Sequence, residues 1–312
     1  MTLGIQTIAS YIPQGRSSNL TPEKFEAFGT DEKFVLGKIG VRERAYKDSS
    51  EETSTLAIKA FGALLEKSRI SLEEIEALVV VTQNPDANIP HVSAIVHGAM
   101  GLQETCAAFD VSLGCSGYVY GLSILSAFLQ ANGMRRGVLI TADPYSKIVD
   151  PGDKNTALLF GDAATATLIG PQPILQIGPF SFGTIGKSHH ALECRDGKLS
   201  MNGREVFNFA ATRIPLDISA LLKRCDLETQ DMDAFIFHQG SRYILETIAS
   251  RLNIPLDRVR MGLEGIGNTV SSSIPLLLEK ELAVETSCRM LLSGFGVGLS
   301  YSSCLCVRTP SK

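Results

Sequence analysis

The chain carries one pattern twice. Residues 72–83 (Leu-Glu-Glu-Ile-Glu-Ala-Leu-Val-Val-Val-Thr-Gln) and 228–239 (Glu-Thr-Gln-Asp-Met-Asp-Ala-Phe-Ile-Phe-His-Gln) each join an acidic cap to a buried apolar run, then end on a polar pair that opens a loop and helix. Gln83 and Gln239 lie 156 positions apart. Residues 133–141 and 286–294 repeat a second unit, a turn, an arginine and a short apolar run, with Thr141 and Gly294 153 positions apart. Two matches at nearly one offset imply two copies of a single βα unit. Runs such as Ala77-Leu78-Val79-Val80-Val81 are apolar throughout, as strands covered on both faces are. An α/β protein follows, with residues 1–172 and 173–312 as its two halves.

The spacing predicts strands over 3–13, 77–81, 137–141 and 163–169, and helices over 54–68, 91–100, 118–129 and 206–225. Another helix follows Thr21-Pro22-Glu23, where Thr21 caps and Pro22 suits the first helical position. Past Pro171 the composition turns loop-like, with Gly183, Gly186, His189-His190 and Gly197. The basic cluster Lys38-Ile39-Gly40-Val41-Arg42-Glu43-Arg44 is either a solvated turn or a rim that greets an anionic ligand.

One turn stands out. Ala108-Phe109-Asp110-Val111 is a strand pattern, the chain turns at Gly114, and a long apolar helix begins near Tyr118. Cys115 sits at that strand-to-helix turn. Helix N-terminal N–H groups and the helix dipole lower a thiol's pKa and hold an oxyanion on a bound carbonyl. The repeat adds partners: 153 positions beyond Cys115 stands Asn268, and 156 beyond Thr82 stands His238. Equivalent strand ends of related halves can meet near their pseudo-twofold axis, and carboxyl ends of strands are where open α/β sheets place ligands.

Composition narrows the alternatives. With 312 residues, 44% of them hydrophobic and 20% charged, the chain is globular, and a net charge of −4 argues against nucleic acid as its main partner. The start has no basic or apolar signal region, and no apolar run reaches a membrane span. Seven scattered cysteines fit a reducing compartment, the cytoplasm. Gly294-Phe295-Gly296-Val297-Gly298 misplaces the third glycine of a dinucleotide fingerprint and leads into a strand pattern. Cys304-x-Cys306 lacks companion ligands, so no metal site is expected. His91, His97 and His189-His190 are expected at the surface or an interface.

These motifs together resemble the β-ketoacyl-acyl-carrier-protein synthase III family of thiolase-like condensing enzymes. The resemblance rests on Gly40-Val41-Arg42-Glu43-Arg44, Gly114-Cys115-Ser116-Gly117, Phe160-Gly161-Asp162-Ala163, His238-Gln239, Gly267-Asn268-Thr269 and the terminal glycine loop, and it spans nearly the whole chain. It implies a five-layered αβαβα fold, a homodimer, and a catalytic set of Cys115, His238 and Asn268. Backbone N–H groups of Cys115 and Val297 would form the oxyanion hole. The reaction implied is acylation of Cys115 by an acyl-CoA, then decarboxylation of a malonyl thioester with His238 and Asn268 as neutral hydrogen-bond donors, and attack on the acyl-cysteine. Coenzyme A thioesters are substrates, no cofactor is needed, and an acyl carrier protein is a candidate partner.

The resemblance further implies substrate contacts at Phe34, Lys38, Ile89, Lys154, Arg204, Gln239 and Arg242. Phe34 and Lys38 stand where the family often has Trp and Arg, and Lys does not replace Arg in planar contacts. Ile89 stands where an aromatic often crosses the dimer and closes the acyl pocket, so a medium-length or branched primer is expected over acetyl. Two other readings stay open: a relative that passes the acyl group to a non-malonyl acceptor, and a non-catalytic subunit of a heterodimer.

Overall fold

The computed structural model describes residues 3–284 and 287–310. Met1, Thr286 and Lys312, which bound segments read from the sequence, lie outside these. The chain begins β1 (Leu3–Tyr11), β2 (Gly15–Ser18), α1 (Pro22–Phe28), α2 (Glu32–Phe34), β3 (Glu43–Tyr46) and α3 (Thr53–Ser68). It continues β4 (Ala77–Val81), α4 (Val92–Met100), β5 (Ala107–Val111), α5 (Gly117–Ala131), β6 (Gly137–Ala142) and β7 (Ala164–Pro171). After β7 come β8 (Leu175–Thr184), the hairpin β9 (Leu192–Arg195) and β10 (Lys198–Met201), and α6 (Gly203–Arg224). The remainder is β11 (Ala234–Phe237), α7 (Arg242–Arg251), α8 (Ser273–Ala283), β12 (Arg289–Gly296) and β13 (Ser300–Arg308).

Nine strands form one sheet in the order β11-β12-β13-β8-β1-β7-β6-β4-β5. Outward from β1 the neighbours pair antiparallel (β7), antiparallel (β6), parallel (β4) and parallel (β5). Outward from β8 the series begins identically with β13, β12 and β11, and a single parallel bridge from Phe235 to Val259 stands in the fifth place. The two series meet where β1 and β8 pair, only at Gly4 with Gln176 and Ile5 with Leu175.

Three apolar cores explain the layering. Leu56, Phe61 and Leu64 of α3 and Val92 and Val96 of α4 pack on Leu78, Val80, Val138 and Ile140. The opposite side chains of those strands, Val79, Val81 and Leu139, face Tyr118, Leu122 and Leu125 of α5 and Ile274 and Leu278 of α8, which also pack on Ile236 and Leu292. Phe235, Phe237 and Leu291 then face Ile214 and Ile218 of α6 and Ile248 of α7. Helices, one series of strands, helices, the other series of the same sheet, and helices follow in turn, the five layers expected. Ala77–Val81 is buried at every position because helices cover both of its faces.

The segment after Pro171 departs from the loop expected. β8 is a ten-residue strand, although Gly178, Pro179 and Gly183 interrupt its pattern. Its pairing with β13 shifts register between Cys304 and Cys306, so that Gly178 and Pro179 together oppose Leu305. Proline lacks the N–H that a regular ladder would use, and a bulge is where a strand tolerates it.

Candidate active site

The turn after β5 hands the chain to α5, and Cys115 sits one residue before the helix N-cap, Ser116. This turn packs on the other series of strands. Ser302 Oγ donates to the Ser116 carbonyl at 3.0 Å, and the hydroxyls of Ser116 and Ser300 lie 2.7 Å apart. Gly296 lets β12 approach: a Cβ there would stand 2.7 Å from Cys115 Sγ. His238 follows β11, its backbone N–H donating to Ser293 of β12 at 2.8 Å. Asn268 is held by strand-like bonds to the distant segment around Phe160, its N–H donating to Leu159 and its carbonyl accepting from Gly161 N–H. Gly267 before it takes φ 81°, a left-handed conformation that suits glycine.

Cys115, His238 and Asn268 are all buried and line one cavity of about 280 Å³. Leu158, Phe160, Leu192, Met201, Val206 and Phe295 give it apolar walls. Lys38, Lys154 and Tyr243 stand at its outer end. Tyr243 stacks on Phe207 with ring centres 5.1 Å apart, and Lys38 Nζ sits 3.8 Å over the Tyr243 ring.

Hydrogen bonds fix the polar end. Val270 N–H donates to Asn268 Oδ1 at 2.9 Å, which turns Asn268 Nδ2 toward His238 Nε2, 3.3 Å away. His238 Nδ1 lies 2.9 Å from Ser273 Oγ, the first residue of α8. Val270 adopts φ 52°, uncommon for a β-branched residue and worth about 1–3 kcal/mol of strain. That conformation lets one residue serve both neighbours, its N–H to Asn268 and its carbonyl to Ser273.

The electrostatics differ from the sequence expectation. Burial pushes the Cys115 thiol up to about 12, and the nearby Asp143 carboxyl adds to the rise, while the Val297 and Cys115 N–H groups pull the other way. A helix N-terminus offers a fraction of a charge, whereas complete removal from water penalises a full one. Burial likewise pushes His238 down to about 3, only partly opposed by the Val270 carbonyl. The resting pair is therefore neutral thiol and neutral imidazole. Behind them Asp143, after β6, accepts from Gln83 N–H at 3.1 Å and Asn84 Nδ2 at 2.8 Å, and burial raises its carboxyl to about 7.

Of the expected substrate contacts, Lys38 and Lys154 reach the cavity. Phe34 stands beside it, with Lys154 Nζ 5.6 Å over its ring. Ile89 is 87% exposed on the loop before α4, and Arg204 is exposed at the start of α6. Arg242 pairs with Glu246 at 2.8 Å. Gln239 is wholly engaged inside the protein, donating to Phe237 O and Arg260 O and accepting from Gly262 N–H. Of the basic cluster, Lys38 stands at the cavity's rim, whereas Arg42 pairs with Glu264 and Arg44 is buried against Asn19. Sequence reasoning missed Ser273, Asp143, Phe207 and Tyr243. Among the described residues no group of three or more His, Cys, Asp or Glu is placed to hold a metal, and no helix is long and apolar enough to cross a membrane.

Comparison with known proteins places this geometry. The sequence model described as 3-oxoacyl-[acyl-carrier-protein (ACP)] synthase III matches residues 109–186, and the model of its C-terminal part matches residues 222–307. The chain belongs to the β-ketoacyl-acyl-carrier-protein synthase III family. Beta-ketoacyl-[acyl-carrier-protein] synthase III 1 of Bacillus cereus is 33% identical over 97% of this chain and 98% of its own length. The synthase III of Deinococcus deserti is 34% identical over 96% of this chain and 90% of its own. The crystal structure of the synthase III from Thermus thermophilus superposes with a TM-score of 0.90 at 30% identity, covering 99% of this chain and 100% of that one. The fold is the thiolase fold, and the chain is an acyl-transferring enzyme of this family. Its class of reaction is the decarboxylating condensation of an acyl primer with a malonyl unit, chemistry that runs on thioesters and needs no cofactor.

Proposed function

We propose that the chain primes fatty-acid or related synthesis by condensing an acyl-CoA with a malonyl thioester, with Cys115 as acyl carrier. The observation that carries this reading is the convergence of Cys115, His238 and Asn268, drawn from three separate segments, on the inner end of one apolar cavity. An acyl thioester entering past Lys38 and Lys154 meets the Cys115 sulfur. The N–H groups of Cys115 and Val297, which already pull on the thiol, hold the oxyanion as the sulfur attacks. Exchange of one thioester for another keeps the acyl group activated. The malonyl carbonyl then sits against Asn268 and His238, where hydrogen bonding stabilises the enolate left by loss of carbon dioxide. The enolate carbon attacks the acyl-cysteine and releases a β-ketoacyl product.

On this reading malonyl-acyl-carrier protein is the second substrate, residues 1–172 and 173–312 are the two halves, and the enzyme works in the cytoplasm as a homodimer. All seven cysteines are free, which suits a reducing compartment. The exposed Ile89 suits a loop that crosses to a partner and admits a medium-length or branched primer. An acyl-CoA length series with acetyl as the clear optimum contradicts that primer assignment.

Asn268→Ala separates the two half-reactions. Acylation of Cys115 is expected to stay within a few-fold of wild type, while carbon dioxide release from a malonyl thioester falls about 10²- to 10³-fold, the scale for one lost oxyanion donor. Equal loss in both steps refutes the division of labour.

A further inference from the structure

The hydrogen bonds around Ser273 decide which nitrogen of His238 carries the proton. A carbonyl can only accept and a backbone N–H can only donate, so one direction of the chain of bonds gives every group a partner. The Ser273 hydroxyl donates to Val270 O at 2.9 Å. Gln239 N–H approaches the same oxygen at 3.5 Å, leaving Ser273 Oγ as an acceptor for the His238 Nδ1, 2.9 Å away. In that direction Nδ1 holds the ring proton and Nε2 is bare. The far side agrees: Asn268 Oδ1 is committed to Val270 N–H, so the group facing Nε2 at 3.3 Å is the amide NH₂, a donor that needs an acceptor there. Asn268, His238 and Ser273 form one directed line of donors ending on the Val270 carbonyl. Ser273 is 3% exposed, and the line is built from buried groups.

We propose that Ser273 is a positioning residue that pins His238 in the Nδ1–H form, leaving Nε2 as a bare acceptor facing the cavity that Cys115 shares. This departs from the sequence expectation of His238 as a resting N–H donor, and it rests on Cys115 being the acylated residue. In acylation the Cys115 proton passes to Nε2 as the sulfur–carbon bond forms. It then passes from Nε2 to the departing coenzyme A sulfur as the old thioester bond breaks, so the ring ends as it began. For decarboxylation, in which Asn268 and His238 both donate to the malonyl carbonyl, the ring proton has to move to Nε2, so Ser273 serves the first half-reaction more than the second.

Ring nitrogen NMR on the intact protein labelled with ¹⁵N-histidine reads the assignment directly. A His238→Gln sample identifies the resonances of His238 among the five histidines. The expected spectrum has a protonated Nδ1 and a bare Nε2, and a protonated Nε2 overturns the proposal even when no variant is made. In Ser273→Ala the acylation rate is expected to fall roughly 10- to 100-fold, between the loss of one neutral hydrogen bond and the loss of a tautomer. Carbon dioxide release from a malonyl thioester changes less, and Ser273→Thr, which keeps the hydroxyl, restores acylation. Equal slowing of both half-reactions, or no recovery in Ser273→Thr alongside a folded spectrum, also overturns it. Failure of the underlying reading looks different: wild type then forms no acyl adduct on Cys115, whatever the state of the ring.

Discussion

At the scale of single residues, two buried groups near the nucleophile pull the acid stability of the fold in opposite directions. His238 titrates near 3 in the folded chain against 6.5 when unfolded. Below 6.5 the unfolded state binds the extra proton, so stability is lost as pH falls from 6.5 toward 3, at about 1.4 kcal/mol per pH unit. Asp143 titrates near 7 folded against 3.8 unfolded. Here the folded state binds the proton, so stability is gained as pH falls from 7 toward 3.8 and lost as pH rises through 7. Between about 4 and 6.5 the two slopes offset each other. Asp143→Asn keeps a carbonyl oxygen for Gln83 N–H and Asn84 while removing the second slope. Its urea midpoints at pH 6.5, 5.5 and 4.5 are expected to drop relative to wild type by about 1.4 kcal/mol of stability per pH unit. A constant difference from wild type across that range contradicts this assignment of charges.

At the scale of elements, the site is a contact between the β5–α5 turn and the end of β12. A Cβ on Gly296 would stand 2.7 Å from Cys115 Sγ and 2.8 Å from its Cβ, so Gly296→Ala forces the turn and the strand apart. Overpacking of this kind costs about 1–3 kcal/mol. A displacement near 1 Å costs reactivity about 10²-fold. Acyl transfer to Cys115 is expected to slow by at least that factor with the fold retained, and an unchanged rate contradicts the close packing. The sequence made this turn legible because strand, glycine and apolar helix are local signals, and the repeat added His238 and Asn268. It hid β8, whose Gly178-Pro179 pair makes sense only as a bulge opposite Leu305, on a strand far along the chain. Ser273 and Asp143 were hidden for the same reason: their partners come from other segments. The raised thiol pKa was illegible too, because burial belongs to the assembled layers and not to the turn.

At the scale of the whole molecule, the chain brings equivalent strand ends from its two series together. One supplies Cys115 and the other His238 and Asn268, with the cavity between them leading out past Lys38, Lys154 and Tyr243. The family, the thiolase fold and this convergence all turn on one event, the transfer of an acyl group to a buried sulfur. Intact-protein mass spectrometry after incubation with acyl-CoA measures it most directly. The account predicts a mass increase of one acyl group per chain on Cys115, absent in Cys115→Ala and Cys115→Ser. No adduct on the wild-type protein, or one that persists in both variants, contradicts it.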